Sequence, residues 1–240
     1  MNVLKTYHHL LKKHGPQNWW PIYVPAHTGG IASSPATAPR NDKLKHGLTY
    51  GIPYRSLKNF STSFRDPFFE IAIGAILAQN VSWSNAATAI QNLYNLKALR
   101  PELLLKLSTK TLEKALYSTR YYAQKAKKLK QFSHFLVYYH TSDILNLKKL
   151  PKDELRLVLL DQWGIGPETA DSIMLYALNI PIFVIDVYTK RFCAEQGIEF
   201  KTYDDYRLFF ESSLSKKIPK TQLTKAYQEF HALFVVEGQK

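Results

Sequence analysis

Two glycines and a carboxylate stand where their types and spacing could do chemistry. The chain reads Trp163-Gly164-Ile165-Gly166-Pro167-Glu168-Thr169-Ala170, and Asp186 follows eighteen residues after Glu168. Gly164 and Gly166 permit positive φ and leave room beside the main chain. Pro167 suits the first turn of a helix, where its missing N–H costs nothing. The free amides and partial positive charge at such a helix start suit a phosphate. The same glycines also make an ordinary connection between two helices, and alone they do not separate the two readings. Asp186 breaks the tie. It follows the apolar run Ile180-Pro181-Ile182-Phe183-Val184-Ile185 and should start a helix. There it caps free amides, a role worth about 1 kcal/mol. A capping carboxylate is rigid and ionised, which is what chemistry beside a phosphate requires.

These residues need helices to position them. Met1–His14 has apolar residues at helical spacing (Val3, Leu4, Tyr7, Leu10 and Leu11), and Gly15-Pro16 stops it. Residues 22–66 are rich in Pro, Gly, Ser and Thr and read as a long loop or insertion. Tyr50, Tyr54, Arg55 and Lys58 within it are free to pack or to touch a partner. From Pro67 onward the pattern is helical: 68–77, 84–94, 111–117, 122–139, 155–160, 167–178, 187–196, 203–213 and 221–236. Strand signals are scarce, and Pro181–Ile185 is short and isolated. No internal repeat is found. The expected fold class is all-α, with a helix–hairpin–helix over 155–178.

Hydrophobic residues make up 45% of the 240, enough for a substantial core. Thirty-two Lys and Arg against 19 Asp and Glu leave a net charge of +13, which favours a polyanionic partner. Cys193 is the only cysteine, so an intrachain disulfide and a four-cysteine cluster are excluded. His8, His9 and His14 lack a ligand set of metal-binding spacing, and no metal site is expected. No apolar run has membrane-span length and no signal-type h-region opens the chain, so a cytoplasmic protein without a membrane partner is expected.

Residues 67–192 resemble the helix–hairpin–helix DNA glycosylases of the endonuclease III superfamily. The likeness rests on Phe69-Glu70, Gly74-Ala75-Ile76-Leu77, Gln79-Asn80, Tyr122, Gln124-Lys125-Ala126, the glycine hairpin and Asp186, and continues in Phe230-His231-Ala232-Leu233. It implies two helical lobes with an active cleft between them. One is a barrel over 67–192; the other joins 1–21 to 193–240, with 22–66 as an insertion. Such enzymes flip a damaged nucleotide out of duplex DNA, at a cost of about a few kcal/mol, and cleave its N-glycosidic bond. The implied setting is a monomer acting on double-stranded DNA that holds a damaged base, in the cytoplasm near the nucleoid.

The departures from that family narrow the expectation. Bifunctional members carry a lysine where this chain has Glu168, and a carboxylate cannot form their Schiff base. Lys125 and Lys190 do not match the motif position. A monofunctional enzyme leaving an abasic site is therefore expected, with no iron–sulfur cluster; the hairpin leaves room for a monovalent cation. Both departures occur together in 3-methyladenine DNA glycosylases of the endonuclease III type. These share the Gly-Ile-Gly hairpin with Glu, the following Ala170-Asp171, the Trp19-Trp20-Pro21 element and an aromatic like Trp83.

By resemblance, Trp20 and Trp83 line the base pocket, while Trp19 reads equally as core. Glu168 either lines the pocket or merely begins its helix, the second being preferred. Gln79 or Tyr121 fills the gap left by the flipped nucleotide. Gly164, Gly166 and Thr169 grip the strand at the hairpin. Lys125, Lys127 and Lys128 either contact phosphates or form a solvated face. A lysine of that subfamily's C-terminal segment is missing, since Leu233 follows His231-Ala232, which leaves His231 as the candidate to support Asp186. The competing expectations are a glycosylase for oxidised or mismatched bases, with or without lyase activity, and a non-catalytic DNA binder.

Overall fold

The computed structural model describes residues 1–24 and 48–239. Eleven α-helices dominate the described residues: α1 Val3–His14, α2 Pro67–Leu77, α3 Trp83–Asn95, α4 Pro101–Lys106, α5 Thr109–Ala115, α6 Tyr122–His140, α7 Lys152–Leu160, α8 Pro167–Ser172, α9 Val187–Glu195, α10 Tyr203–Ser215 and α11 Lys220–Gly238. The all-α expectation holds, with one two-stranded exception near the N-terminus. Among the described residues no helix is long and apolar enough to cross a membrane.

The helices form two groups. In the first, α2 is the axis. Every one of its residues is buried, Asp66 caps it by accepting from Phe68 N, and Pro67 occupies its first turn. It packs against α3, α6 and α8. In the second, α11 packs against α1, α9 and α10, and Phe183, Phe210, Phe230 and Phe234 fill the space between them. Asp186 opens α9, at the junction of the two groups.

The first helix of the hairpin, α7, is tied to the second by Arg156, whose Nε and Nη2 reach the two oxygens of fully buried Asp171 at 2.7 and 3.2 Å. Such bidentate pairing fixes angle as well as distance. Arg156 also meets Asp204 on α10 at 2.9 Å, so one guanidinium joins both helix groups. The expected helix over 167–178 is interrupted: after Ser172 the backbone widens into a π turn, Ile173–Ala177. Single π turns inside helices are frequent at functional sites.

The expectation of a loop throughout 22–66 is corrected at its ends; residues 25–47 lie outside the described ones. Ile22–Tyr23 pairs antiparallel with Leu48–Thr49. Tyr50 and Leu57 are buried, and Tyr54 at the head of a 3-10 turn donates its hydroxyl to Ala177 O at 3.1 Å. The anchor is a buried ion pair. Glu70 on α2 accepts from Arg65 Nε at 2.6 Å and from Tyr23 N at 2.7 Å, while Arg65 Nη2 donates to Tyr23 O at 2.6 Å. Composition reads as loop here because the anchoring contacts run between distant residues, not along the segment. Pro181–Ile185 has no regular secondary structure and pairs with no strand among the described residues.

Candidate active site

Asp186 is a helix cap that leaves part of its charge unspent. Its Oδ1 accepts from Thr189 N and Thr189 Oγ1, both at 2.7 Å. Its Oδ2 lies 3.5 Å from His231 Nε2 on α11. Burial pushes this carboxyl up, but the bonds from His231 and Thr189 more than offset it, so it is held below the ordinary carboxylate value and ionised. The segment before it is pinned as well: Ile185 N donates to Tyr203 Oη at 3.1 Å and Phe183 N to Glu211 Oε1 at 2.9 Å.

His231 has its own clasp. Its Nδ1 lies 2.7 Å from the Tyr176 hydroxyl, which also reaches Gln228 O at 3.1 Å. If the phenol donates to Nδ1, the neutral ring carries its proton on Nε2. In that tautomer Nε2–H points at Asp186. Burial holds the Tyr176 phenol well above its usual range, so its proton stays available. His231 thus stands where the sequence left Asp186 without a partner lysine.

Asp186 and His231 line a cavity of about 420 Å³ at the junction of the helix groups, within the size range of small-molecule sites. Three indoles share its wall. Trp19 and Trp83 stack at 6.1 Å, and Trp20 meets Trp83 edge-on at 4.8 Å. Trp19 therefore lines the cavity alongside the two tryptophans expected there. Gly74 is what admits Trp20, since a Cβ there would come within 3.3 Å of the indole. The Trp19-Trp20 segment is held from both sides. Glu229 accepts from Gln17 N and Asn18 N before it, and Glu70 and Arg65 grip Tyr23 after it.

The hairpin forms another wall. Gly164 has φ +80°, and an added Cβ would collide with the stem of Lys128. Gly166 caps α8 with φ −92°, and an added Cβ there would meet nothing within 4 Å. The first glycine is required by the fold; the second is not. Gln79 lies at the cavity lip but is occupied: its Nε2 donates to Gly164 O at 3.1 Å and Thr169 Oγ1 at 2.8 Å, and its Oε1 accepts from Lys128 Nζ. Thr169 is buried in this contact. Tyr121 stands outside the cavity, exposed at the head of α6 in a left-handed backbone, with Arg120 over its ring at 5.4 Å. Glu168, preferred from sequence as a helix starter, also lines the cavity.

Lys125 requires correction. It was expected on a phosphate-contacting or solvated face, yet it is buried, with Nζ donating to Leu77 O at 2.8 Å at the end of α2. Burial, then the charge of Lys128, lowers it to about 8. Lys127 instead sits beside the hairpin, 4.6 Å over the half-exposed Trp163 ring. The residues missed from sequence are Thr189, Tyr176 and Tyr203. Only Thr189 carried a signal, as the third residue after a capping Asp. Among the described residues no group of His, Cys, Asp and Glu could hold a metal ion.

Comparison with known proteins fits this geometry. Residues 73–215 match the family described as HhH-GPD superfamily base excision DNA repair protein. The chain is 32% identical over 244 residues to "Putative DNA repair glycosylase MJ1434" of Methanocaldococcus jannaschii, covering 99% of this chain and 87% of that one. It is 25% identical over 152 residues to Endonuclease III of Bacillus subtilis, 63% of this chain and 64% of the other. The structure of H. pylori 3-methyladenine DNA glycosylase (MagIII) bound to 1,N6-ethenoadenine superposes with a TM-score of 0.63 at 26% identity, over 78% of this chain and 95% of that one. A trapped endonuclease III–DNA covalent intermediate, at 20% identity and a TM-score of 0.54 over 74% and 80% of the two chains, shares the fold.

Proposed function

The chain belongs to the HhH-GPD superfamily of base excision DNA repair proteins and is a DNA N-glycosylase, and we propose that it releases alkylated purines such as 3-methyladenine and leaves an abasic site without cutting the strand. The observation that carries this reading is an ionised, clamped Asp186 on the wall of a cavity faced with three indoles. A 3-methylated adenine is already cationic, so it departs without an acid. Its charge over an indole face gains about 0.5–2 kcal/mol. As the bond to the sugar breaks, positive charge develops on the sugar ring. Asp186 Oδ2 stabilises that charge and orients the water that adds to the sugar carbon. The rigid hold of Thr189 on Oδ1 keeps the carboxylate from reorganising as the charge appears.

The hairpin grips the strand. Free amides at the start of α8 meet a phosphate, the open space before Gly166 lets the backbone come close, and Lys127 and Lys128 add charge. Tyr121 is the better candidate to fill the gap left by the base, since it is exposed while Gln79 is held by the hairpin. The absence of strand cleavage follows from Glu168. A carboxylate replaces the amine a lyase needs, and no lysine lines the cavity among the described residues. The purine preference gains support from the H. pylori 3-methyladenine DNA glycosylase, which was solved with ethenoadenine bound.

The test is free-base release from alkylated duplex DNA, read by mass, followed by alkali treatment. Release of 3-methyladenine with strand breaks only after alkali is the expected result. Breaks before alkali defeat the monofunctional reading; DNA binding with no base release defeats the catalytic one.

A further inference from the structure

Glu168 and Asp186 line one cavity, and the release of a cationic base leaves Glu168 without a task. The two carboxylates are held in opposite ways. Asp186 is 6% exposed and takes bonds from Thr189 and His231. Glu168 is exposed on the cavity rim and, among the described residues, has no hydrogen-bond or ion-pair partner. A carboxylate that faces a ligand cavity with nothing bonded to it keeps both oxygens for what enters.

We propose that Glu168 is a general acid that extends this site from cationic to neutral purine lesions. The inference rests on the base-excision reading above. A neutral purine is a poor leaving group unless a ring nitrogen is protonated as the bond breaks. In the proposed step the Glu168 carboxyl O–H gives its proton to a ring nitrogen of the flipped base. The C1′–N9 bond breaks with both electrons staying on the base, which leaves as a neutral molecule. The sugar cation forms beside Asp186, and water adds to C1′. The water's proton passes to the Asp186 carboxylate and on to solvent, and Glu168 recovers its own from solvent.

The electrostatics agree with these roles. Burial and then the Asp186 charge push the Glu168 carboxyl above its ordinary value, against His231 and Lys190, which pull it down. Asp186 is displaced the other way. Two neighbouring acids pushed apart is the arrangement that assigns one as proton donor and one as anion. The groups facing Glu168 are Asp186 and Lys190 on either side of the α9 N-terminus, His231 on α11 and the Tyr203 phenol on α10, which burial holds well above its usual range and therefore protonated. The dipole at the start of α8 opposes protonation. A base filling the cavity displaces the solvent now reaching Glu168 and strengthens the upward push.

The experiment compares wild type, Glu168→Gln and Glu168→Asp on alkylated duplex DNA and on duplexes carrying 1,N6-ethenoadenine or hypoxanthine. Single-turnover release is read by mass across pH, with melting temperatures checking the fold. For Glu168→Gln the ratio of neutral-base to 3-methyladenine release should fall on the order of 100-fold, the usual size of general-acid catalysis. Glu168→Asp should recover part of it. In wild type, neutral-base release should decline with rising pH while 3-methyladenine release does not. An unchanged ratio, or a wild type that releases 3-methyladenine but no neutral lesion, overturns the role of Glu168 alone. A wild type that releases no base overturns the base-excision reading and this inference with it. Should Glu168→Gln not fold, Glu168→Asp and the wild-type pH profiles carry the test.

Discussion

The wall that holds Asp186 and the wall formed by the hairpin face the same cavity but are built on different terms. Around Asp186 nearly every polar group has a partner within the protein. Thr189, His231 and Tyr176 are linked through Asp186, and Tyr203 and Glu211 hold the backbone just before it, so four elements contribute. On the hairpin side Glu168 has no hydrogen-bond or ion-pair partner among the described residues, and beside the cavity Gly166 faces open space and Trp163 is half exposed. The first wall is organised before anything binds; the second leaves groups open to whatever enters. Electrostatic catalysis gains most from dipoles that need not move, whereas a surface that must accept many DNA sequences gains from unpaired groups.

Replacing Asp186 should therefore produce the largest effect. Asp186→Asn keeps a capping side chain at α9 but removes the charge. Single-turnover base release should fall by about 100- to 1000-fold or more, with a small change in melting temperature and in DNA affinity. Release at the wild-type rate would remove Asp186 from the chemistry.

His231→Leu comes next. Bonds to a charged group are worth about 1.5–3 kcal/mol, so release should fall roughly 10- to 100-fold. The sign of the pH effect follows from Asp186. Its folded-state carboxyl lies below the ordinary value, so the activity and stability it supplies are present above that value and are lost as pH falls through the depressed one. Without His231 the upward push of burial is less opposed, and the acid limb of the rate profile should move to higher pH. His231→Gln, which retains an N–H, should fall between. A limb that does not move would mean that His231 only fills space.

The two glycines sharpen the contrast between walls. Gly164→Ala meets both a left-handed backbone and the stem of Lys128, and should cost about 1–2 kcal/mol of stability. Gly166→Ala should leave stability within about 0.5 kcal/mol of wild type or raise it slightly, because its backbone is extended and its surroundings open. Its effect should appear in DNA affinity, measured by fluorescence anisotropy. Unchanged affinity in Gly166→Ala would mean that no phosphate approaches the bend.

What the sequence disclosed follows the same division. The helices were legible because burial of one face imposes a 3.6-residue period, and the hairpin because glycine and proline constrain the backbone locally. Asp186 was legible as a cap and, through its distance from the hairpin, as something more. The partners of Asp186 were not. Tyr176 and His231 are 55 residues apart and meet only because α11 packs against the π turn after α8. The ends of the 22–66 segment were misread for a related reason: their order comes from Glu70 and Ala177, far along the chain.

Lys125 was legible and was misjudged. It shares a stripe with Leu129, Phe132 and Leu136, at the spacing of a buried helix face, whereas Lys127 lies off that stripe and over Trp163. The pair yields the smallest predicted effect. Lys127→Ala should weaken DNA binding modestly and reduce the slope of log affinity against log salt by about one. Lys125→Met should leave the slope unchanged and act on stability, because its ammonium bonds a carbonyl inside the protein. Near pH 8 the wild-type Lys125 is about half deprotonated. Being lowered by burial, it stabilises the fold less as a cation than an ordinary lysine would. A change in salt slope for Lys125→Met, or none for Lys127→Ala, would redraw which face of α6 meets DNA.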